Sequence, residues 1–183
     1  MSKVVPLTGA FYGLASAVLF GASTPLAKLL LGAVDPWLLA GLLYLGSGLG
    51  LYAYRIVAGA SGKHRAEASL RRADLLWLAA AILVGGVAGP VLLMIGLSST
   101  SASSASLLLN LEGLATMAIA WVVFRENVDR RLLMGAAAIL AGAVILSWAD
   151  AGMRLDLGGL LIAAACLCWG IDNNLTRRLS SAD

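Results

Sequence analysis

The residue best equipped for chemistry in this sequence is Glu112, a carboxylic acid inside an otherwise apolar run at 107–124. A charged side chain in hydrocarbon costs about 2.5–3.5 kcal/mol on insertion scales, so an acid at this position needs a partner or a purpose. At ~1.5 Å per residue it lies near mid-membrane, where Thr116 shares its helix face and Asn110 faces elsewhere. We expect Glu112 either to bind a cationic group or exchange a proton, or to be a buried acid hydrogen-bonded to neighbouring helices.

Two further polar segments interrupt apolar runs, and they align with each other. The segment GASTP at 21–25 matches the segment GIDNN at 170–174. Because Pro25 has no backbone N–H and clashes with the preceding turn, we expect the first helix to kink or open near Gly21. Interrupted helices at corresponding places in two repeats indicate a substrate site, and they also suit gates or simple helix-end caps.

A second hinge is predicted at Gly89-Pro90, inside the run at 75–97. Proline in a helix favours a kink, and the small residues beside it would let a substrate or another helix move against this part of the helix. The alternative is a helix that is bent only to accommodate its neighbours. Trp169 precedes Asp172 by three residues on the same helix surface. It is therefore expected either to stack on a substrate or to fill the core.

The candidate substrate contacts are the polar or aromatic side chains at these breaks, namely Ser23, Thr24, Asn110, Glu112, Trp169, Asp172 and Asn173. The candidate hinge residues are Gly21, Pro25, Gly89 and Pro90. Catalysis has no comparable candidates in the sequence, since the single histidine, His64, lies in a basic loop. Cys166 and Cys168 are spaced for neither a disulfide nor a metal site. We therefore predict no enzymatic activity, no cofactor and no metal.

The elements that must position these residues are membrane-spanning helices. Hydrophobic residues make up 60% of the chain and charged residues 13%, with a mean hydropathy of +0.90, whereas soluble domains carry about 25% charged residues. The apolar runs lack the alternation of barrel strands, so each satisfies its backbone hydrogen bonds as a helix. We predict an all-α, polytopic transmembrane helical bundle with six spans, the last of them short because Asp172 interrupts it. The apolar runs are 7–27, 37–54, 75–97, 107–124, 132–149 and 157–171.

The sequence also contains a faint duplication, because the pattern at 9–22 returns at 158–171. Five spans fill one period, so a second copy would enter the bilayer from the opposite side, which is a construction principle of secondary transporters. We therefore expect a complete five-helix repeat at 1–150 and the first helix of an inverted, incomplete repeat at 151–183.

Glycines spaced along one helix face predict close helix packing, because helix association in lipid depends on small residues. Homodimerisation through such faces is the alternative. The glycines concerned are Gly9 with Gly13, Gly46 with Gly50, Gly85 with Gly89, and Gly135 with Gly142.

The basic residues predict the orientation. If the spans alternate, eleven of the 13 Lys and Arg residues fall on one side, which leaves only Lys28 and Arg154 on the other. Basic loops stay cytoplasmic, so we expect a cytoplasmic N-terminus, with the lipid bilayer as the partner of the chain. The net charge of +3 then reflects topology and gives no reason to invoke nucleic acid. Lys28 is expected to extend its stem to the lipid headgroups.

Three stretches resemble the EamA repeat of drug/metabolite transporters: SSASLLLNLEG at 103–113, FRENV at 124–128, and FGAS at 20–23 followed by Lys28. The resemblance implies export or exchange of small metabolites, such as amino acids or related organic solutes, across a bacterial inner membrane by alternating access. It covers 8–149 as one repeat and agrees with the duplication.

The resemblance has two departures. Family members commonly have proline after the helix-four glutamate, where this chain has Gly113, and they typically have ten helices. It therefore implies a partial transporter whose further helices would follow Asp183. Glu126, a family-pattern position, is expected to form a local ion pair that orients its loop. Its expected partner is Arg125, Arg130 or Arg131.

Three functions fit these observations. The first is a secondary carrier of small metabolites, and the second is a proton-coupled multidrug exporter in which Glu112 exchanges protons for lipophilic cations. An aromatic content of 7% offers no obvious cage for a quaternary cation, so the second fits less well. The third is a non-transporting membrane subunit or fragment that packs against a partner.

Overall fold

The computed structural model describes residues 7–60, 71–72, 74–149 and 157–180, and every regular element among them is helical. The predicted all-α fold is therefore confirmed. The elements are α1 (Leu7–Leu30), α2 (Pro36–Ala60), α3 (Asp74–Ala81), a π-helical stretch (Ile82–Ala88), α4 (Gly89–Ser99), α5 (Ala102–Leu108), α6 (Leu111–Val122), α7 (Arg130–Ala149) and α8 (Leu157–Ser180).

Five helical segments of the described residues are long and apolar enough to cross a membrane. The third combines α3, the π-helical stretch and α4, and the fourth combines α5 and α6. The 20-residue helix α7 occupies the place of the remaining predicted span. The chain is thus a polytopic helical membrane protein, as its composition predicts. The five segments are Phe11–Leu30, Pro36–Gly59, Asp74–Ser99, Ala102–Val122 and Leu157–Ser180.

The prediction of a short last span is wrong, because α8 continues through Asp172 and is 24 residues long in total. The polar residues that were expected to interrupt it make hydrogen bonds within the bundle. Asp172 accepts one from Thr176 (3.1 Å), and Asn174 bonds to the carbonyl of Gly170 (2.8 Å), so both are compatible with a helix.

Helix α8 is the centre of the bundle and packs against α3, the π-helical stretch, α4, α5 and α6. Leu97 of α4 and Ile162 and Cys166 of α8 are fully buried. Close approach depends on glycine, since a Cβ on Gly96 would lie 2.6 Å from the carbonyl oxygen of Gly158. Small residues at facing positions let two helix backbones pack directly in lipid.

The predicted packing face of Gly85 and Gly89 is confirmed. A Cβ on Gly89 would lie 2.8 Å from Nε1 of Trp169, and one on Gly85 would overlap the carboxylate of Asp172. Gly85 is also buried. These two glycines therefore bring the third span directly onto α8.

The other predicted glycine faces make no such contact within the described part of the chain. Positions 13, 46, 50, 135 and 142 have open space where a Cβ would stand, so these glycines make no helix packing among the described residues. The reason is that α1, α2 and α7 lie at the outside of the bundle, where most of the side chains whose burial is described are exposed. Homodimerisation through these faces stays a prediction.

Helix α1 does not open near Gly21 as predicted, because it is helical throughout Leu7–Leu30 with Pro25 inside it. Proline removes a single N–H donor, which a long transmembrane helix tolerates. The hydroxyl of Ser23 donates instead to the carbonyl of Phe20 (2.6 Å). The carbonyl of Gly21 still lacks the donor that a residue other than proline at position 25 would supply.

Lys28 ties α1 to α4 and does not serve as the predicted headgroup anchor. Its ammonium group donates to the carbonyls of Leu97 (2.6 Å) and Ser98 (3.1 Å), in the last turn of α4. A cation is favourable there because the carbonyl end of a helix carries partial negative charge.

Candidate functional site

The π-helical stretch explains how the third span accommodates Pro90. The N–H of Gly89 bonds to the carbonyl of Val84, five residues back. If the same spacing of five residues continued, the N–H of residue 90 would bond to the carbonyl of Gly85. Residue 90 is proline, which has no N–H, so this bond cannot form. The irregularity predicted at Gly89-Pro90 therefore takes the form of a π-helical segment that leaves the carbonyl of Gly85 without a helical donor.

Two side chains from other helices fill this vacancy. Nε1 of Trp169 on α8 donates to the carbonyl oxygen of Gly85 at 3.1 Å, and the hydroxyl of Tyr44 on α2 donates at 3.3 Å. We call this arrangement the Gly85 lock. It joins three spans at a single buried carbonyl, and it fixes the position of Trp169 one turn before Asp172.

A mostly apolar cavity of about 460 Å³ lies beside the lock. We call it the apolar cavity. Its lining includes Tyr44, Pro90 and Trp169, together with Ser23 and Thr24 of α1. The structure thus brings three of the candidate substrate contacts to one space.

Glu112 belongs to a hydrogen-bonded cluster between α6 and α8. Nδ2 of Asn173 donates to Oε1 of Glu112 and to Oγ1 of Thr116, both at 3.1 Å. The hydroxyl of Thr116 donates to the backbone carbonyl of Glu112 at 2.9 Å. The carboxylate therefore accepts one hydrogen bond from the neutral amide of Asn173, whereas Thr116 bonds to the backbone carbonyl of Glu112 and not to its acid group. The carboxylate remains available as an acceptor.

Asn174 fastens α8 to α6 beside this cluster. It is 5% exposed, and its Nδ2 donates to the carbonyls of Thr116 (3.0 Å) and Gly170 (2.8 Å). A Cβ on Gly170 would lie 2.9 Å from that of Ala115, so glycine is needed for the approach. Asn174 is a positioning residue that sequence reasoning left out of the candidate site, although it stands in the polar segment GIDNN.

The second cavity, which we call the Glu112 cavity, has a volume of about 390 Å³. Glu112, Asn173 and Asn174 line it on one side. Arg177 of α8 and Glu126 line it towards the ends of α6 and α8, where they form an ion pair. The cavity thus presents carboxylates, amides and one guanidinium group to any solute that enters it.

The prediction that Glu126 pairs with a local arginine is wrong, since its partner is Arg177, 51 positions away. Arg125 has a φ of 53°, a left-handed conformation that ends α6 and turns the chain back. The N–H of Glu126 then bonds to the carbonyl of Ala120 (3.1 Å), which directs the acid towards α8.

Asp172 lies on a different face of α8 from Asn173. It packs against Gly85 and accepts a hydrogen bond from Thr176 at 3.1 Å. Consecutive helix positions are about 100° apart, so the two neighbours reach different sides of α8. Of the two, only Asn173 is bonded to Glu112 in the structure.

Asn110 lies where α5 passes into α6. Its backbone N–H bonds to the carbonyl of Leu107 (3.1 Å), three residues back, and its Nδ2 donates to the carbonyls of Ser106 (3.2 Å) and Leu107 (3.0 Å). A cavity of about 220 Å³ joins this point to α1, and we call it the junction cavity. Its lining is Phe20, Gly21, Thr24, Ser106, Leu109 and Asn110.

Comparison with known proteins places these features in a family. The sequence profile of the EamA-like transporter family matches residues 7–148, which cover α1 to nearly the end of α7. The chain belongs to the EamA-like transporter family. The resemblance carried by the residues around Glu112 and Glu126 is thereby confirmed, and membership points to a transporter rather than an enzyme.

This EamA protein is 30% identical over 177 residues to an uncharacterized transporter of Methanothermobacter thermautotrophicus (strain Delta H). The alignment covers 90% of the chain and 52% of the relative, so the chain spans about half the length of that curated relative. No solved structure matches it significantly.

Proposed function

We propose that this EamA protein is part of a secondary carrier that exports or exchanges small organic solutes of the amino-acid type by alternating access. The observation that carries the proposal is the Glu112 cluster, in which the amide of Asn173 joins the carboxylate of Glu112 to the hydroxyl of Thr116 at the wall of a cavity of about 390 Å³. An acid inside a transmembrane segment typically marks a substrate or proton pathway.

The chemistry of the Glu112 cavity suits a zwitterion. The carboxylate of Glu112 can accept hydrogen bonds from a solute ammonium group, and Arg177 and the amides of the asparagines can donate to a carboxylate. The volume of about 390 Å³ falls within the usual range for small-molecule sites. The Arg177–Glu126 ion pair would be the element that opens or closes one end.

Two further points belong to the proposal. The first is the division into a repeat at 1–150 and the start of an inverted repeat at 151–183. The second is an orientation with the N-terminus and the Arg177–Glu126 end in the cytoplasm of a bacterial cell, which rests on the asymmetry of the basic residues.

Proton-coupled export of lipophilic cations is the second candidate, and the apolar cavity favours it. Trp169 and Tyr44 line that cavity, and aromatic faces attract cations. In this function Glu112 would take up or release the proton from the Glu112 cavity, so protons and cations would compete only if the two cavities are coupled. The carrier of polar solutes would show no such competition with a lipophilic cation.

The test is flux in proteoliposomes. This chain, and a version extended to a complete second repeat, would be reconstituted separately, and currents on a solid-supported membrane would be recorded against amino acids, other metabolites and lipophilic cations, with and without a pH gradient. We expect saturable currents with amino-acid-like solutes from the extended protein. Silence of both proteins with every solute would contradict transport and support a non-transporting subunit.

A further inference from the structure

The junction cavity is lined by oxygen-bearing residues that carry no charge. Gly21 and Thr24 contribute from α1, and Ser106 and Asn110 contribute from the passage between α5 and α6. The two apolar lining residues complete the wall, and no carboxylate, ammonium or guanidinium group is among the lining residues. The cavity therefore offers lone pairs without a fixed charge.

The α1 side of the cavity presents two oxygens that lack donors. The carbonyl of Gly21 has no helical donor because Pro25 has no N–H, and a glycine can line a cavity only with its backbone. Thr24 is 4% exposed, and among the described residues its hydroxyl has no hydrogen-bond partner. Both residues line the cavity, so these oxygens are open to a ligand or water there.

The other side of the cavity adds an amide oxygen and a hydroxyl. Both hydrogen bonds of the Asn110 side chain come from Nδ2 and go to backbone carbonyls, so its Oδ1 is the end that remains an acceptor. The hydroxyl of Ser106 stands one turn earlier and has no partner within the described ranges.

Neutral oxygens of this kind select the charge of a ligand. Divalent Mg²⁺ and Ca²⁺ sites normally include carboxylates, which this lining lacks, and an anion would find no charged donor. A monovalent cation is the ligand that carbonyl and hydroxyl oxygens suit. The volume of about 220 Å³ is large enough for a monovalent cation with part of its hydration shell.

The cation of the chain nearest along α1 does not occupy this space. Lys28 is one turn beyond Thr24, but its ammonium group is held by the carbonyls of Leu97 and Ser98, and it does not line the cavity. We propose that the junction cavity binds a monovalent cationic group, either free Na⁺ or the primary ammonium group of a solute. The site is separate from the Glu112 cavity, and its occupancy would join α1 to the α5–α6 passage.

Equilibrium binding tests the proposal without any need for flux. The full chain in lipid nanodiscs would be titrated with ²²Na⁺ in a scintillation proximity assay, and K⁺, methylammonium and choline would serve as competitors. We expect saturable binding that choline, which is too bulky and has no N–H, does not displace. If unlabelled Na⁺ displaces ²²Na⁺ and methylammonium does not, the ligand is the free ion. If methylammonium is the stronger competitor, the ligand is the ammonium group of a solute.

Substitutions at the four oxygens give predictions of opposite sign. Thr24→Val and Ser106→Ala each remove a hydroxyl, and we expect each to weaken cation binding about tenfold, a typical loss for one hydrogen bond to a charged group. Pro25→Ala restores the N–H donor to the carbonyl of Gly21 and should also weaken binding. Asn110→Asp loses the two hydrogen bonds of Nδ2 to backbone carbonyls, but it adds a negative charge at the cavity wall and should strengthen cation binding.

Ser103→Ala is the matched control, because Ser103 is an exposed serine on α5 outside the cavity lining. It should leave binding unchanged. Size-exclusion profiles of all variants would establish that each is folded. Absence of saturable binding to the folded chain, or equal losses in Ser103→Ala and Ser106→Ala, would overturn the proposal.

Glu112→Gln separates this site from the proposed transport site. Cation binding that survives in Glu112→Gln places the cation away from the Glu112 cavity and supports the junction site, whatever the flux experiment shows. Loss of cation binding in that variant would assign the cation to Glu112 and overturn the inference.

Discussion

The Gly85 lock predicts a specific departure from additivity. Trp169→Phe and Tyr44→Phe each remove one donor to the carbonyl of Gly85, but each leaves the other donor in place. Interhelical hydrogen bonds in membrane proteins average about 0.6 kcal/mol, so we expect each single variant to lower the free energy of unfolding by about that amount. In the double variant the buried carbonyl loses both donors, and an unsatisfied buried polar group costs about 1–3 kcal/mol.

The double variant should therefore be less stable than the sum of the single variants by about 1 kcal/mol. Unfolding of the purified protein by SDS in mixed micelles, followed by far-UV circular dichroism, measures all four corners of this cycle. The cycle also cancels the packing change that Trp169→Phe causes by itself.

A third substitution identifies the origin of the effect. Pro90→Ala supplies the N–H that the π register lacks, so it should remove most of the excess loss in the double variant. Additivity within about 0.5 kcal/mol, or an excess loss that Pro90→Ala leaves unchanged, would refute the assignment of Gly85 as the shared acceptor.

Three other predictions concern packing and helix ends, and the same unfolding assay measures each. Gly96→Val should lower the free energy of unfolding by about 1–3 kcal/mol, because its Cβ meets the backbone of α8. Gly46→Val, where a Cβ has open space, should lower it little, and equal losses in the two variants would contradict the packing of α4 on α8. Lys28→Met should lower the free energy of unfolding by about 1 kcal/mol because the last carbonyls of α4 lose their cation, and no change would contradict the contact of Lys28 with α4. Arg125→Gly should raise stability by about 1 kcal/mol because glycine adopts a φ of 53° without strain; a loss would contradict the left-handed turn.

The sequence was sufficient to predict the helical spans, since every backbone group in lipid must be satisfied within its own helix. It also predicted the face of Gly85 and Gly89, because a close backbone approach requires small residues. The same rule failed for Gly46 and Gly50, which are open in the structure. Glycine spacing permits close packing but does not determine which helix, if any, arrives there.

The partners of the polar residues could not be predicted, because they depend on the rotation of α8. Asp172 and Asn173 are adjacent, and only contacts such as Gly170 against Ala115 decide which of them faces Glu112. The pairing of Glu126 with Arg177 spans 51 positions and has no local signal. Tyr44 likewise gives no sign in the sequence of its bond to Gly85.

The most direct test of the proposed carrier is the solute-driven current of Glu112→Gln proteoliposomes, compared with Asp129→Asn, which neutralises an exposed acid outside the Glu112 cavity. The extended protein would be used, with equal amounts of folded protein confirmed in each preparation. We predict that Glu112→Gln either lowers the current at least tenfold or abolishes its pH dependence. Asp129→Asn should retain both the current and its pH dependence. A current in Glu112→Gln equal to that of the unsubstituted protein, with the same pH profile, would contradict a role for Glu112 in transport.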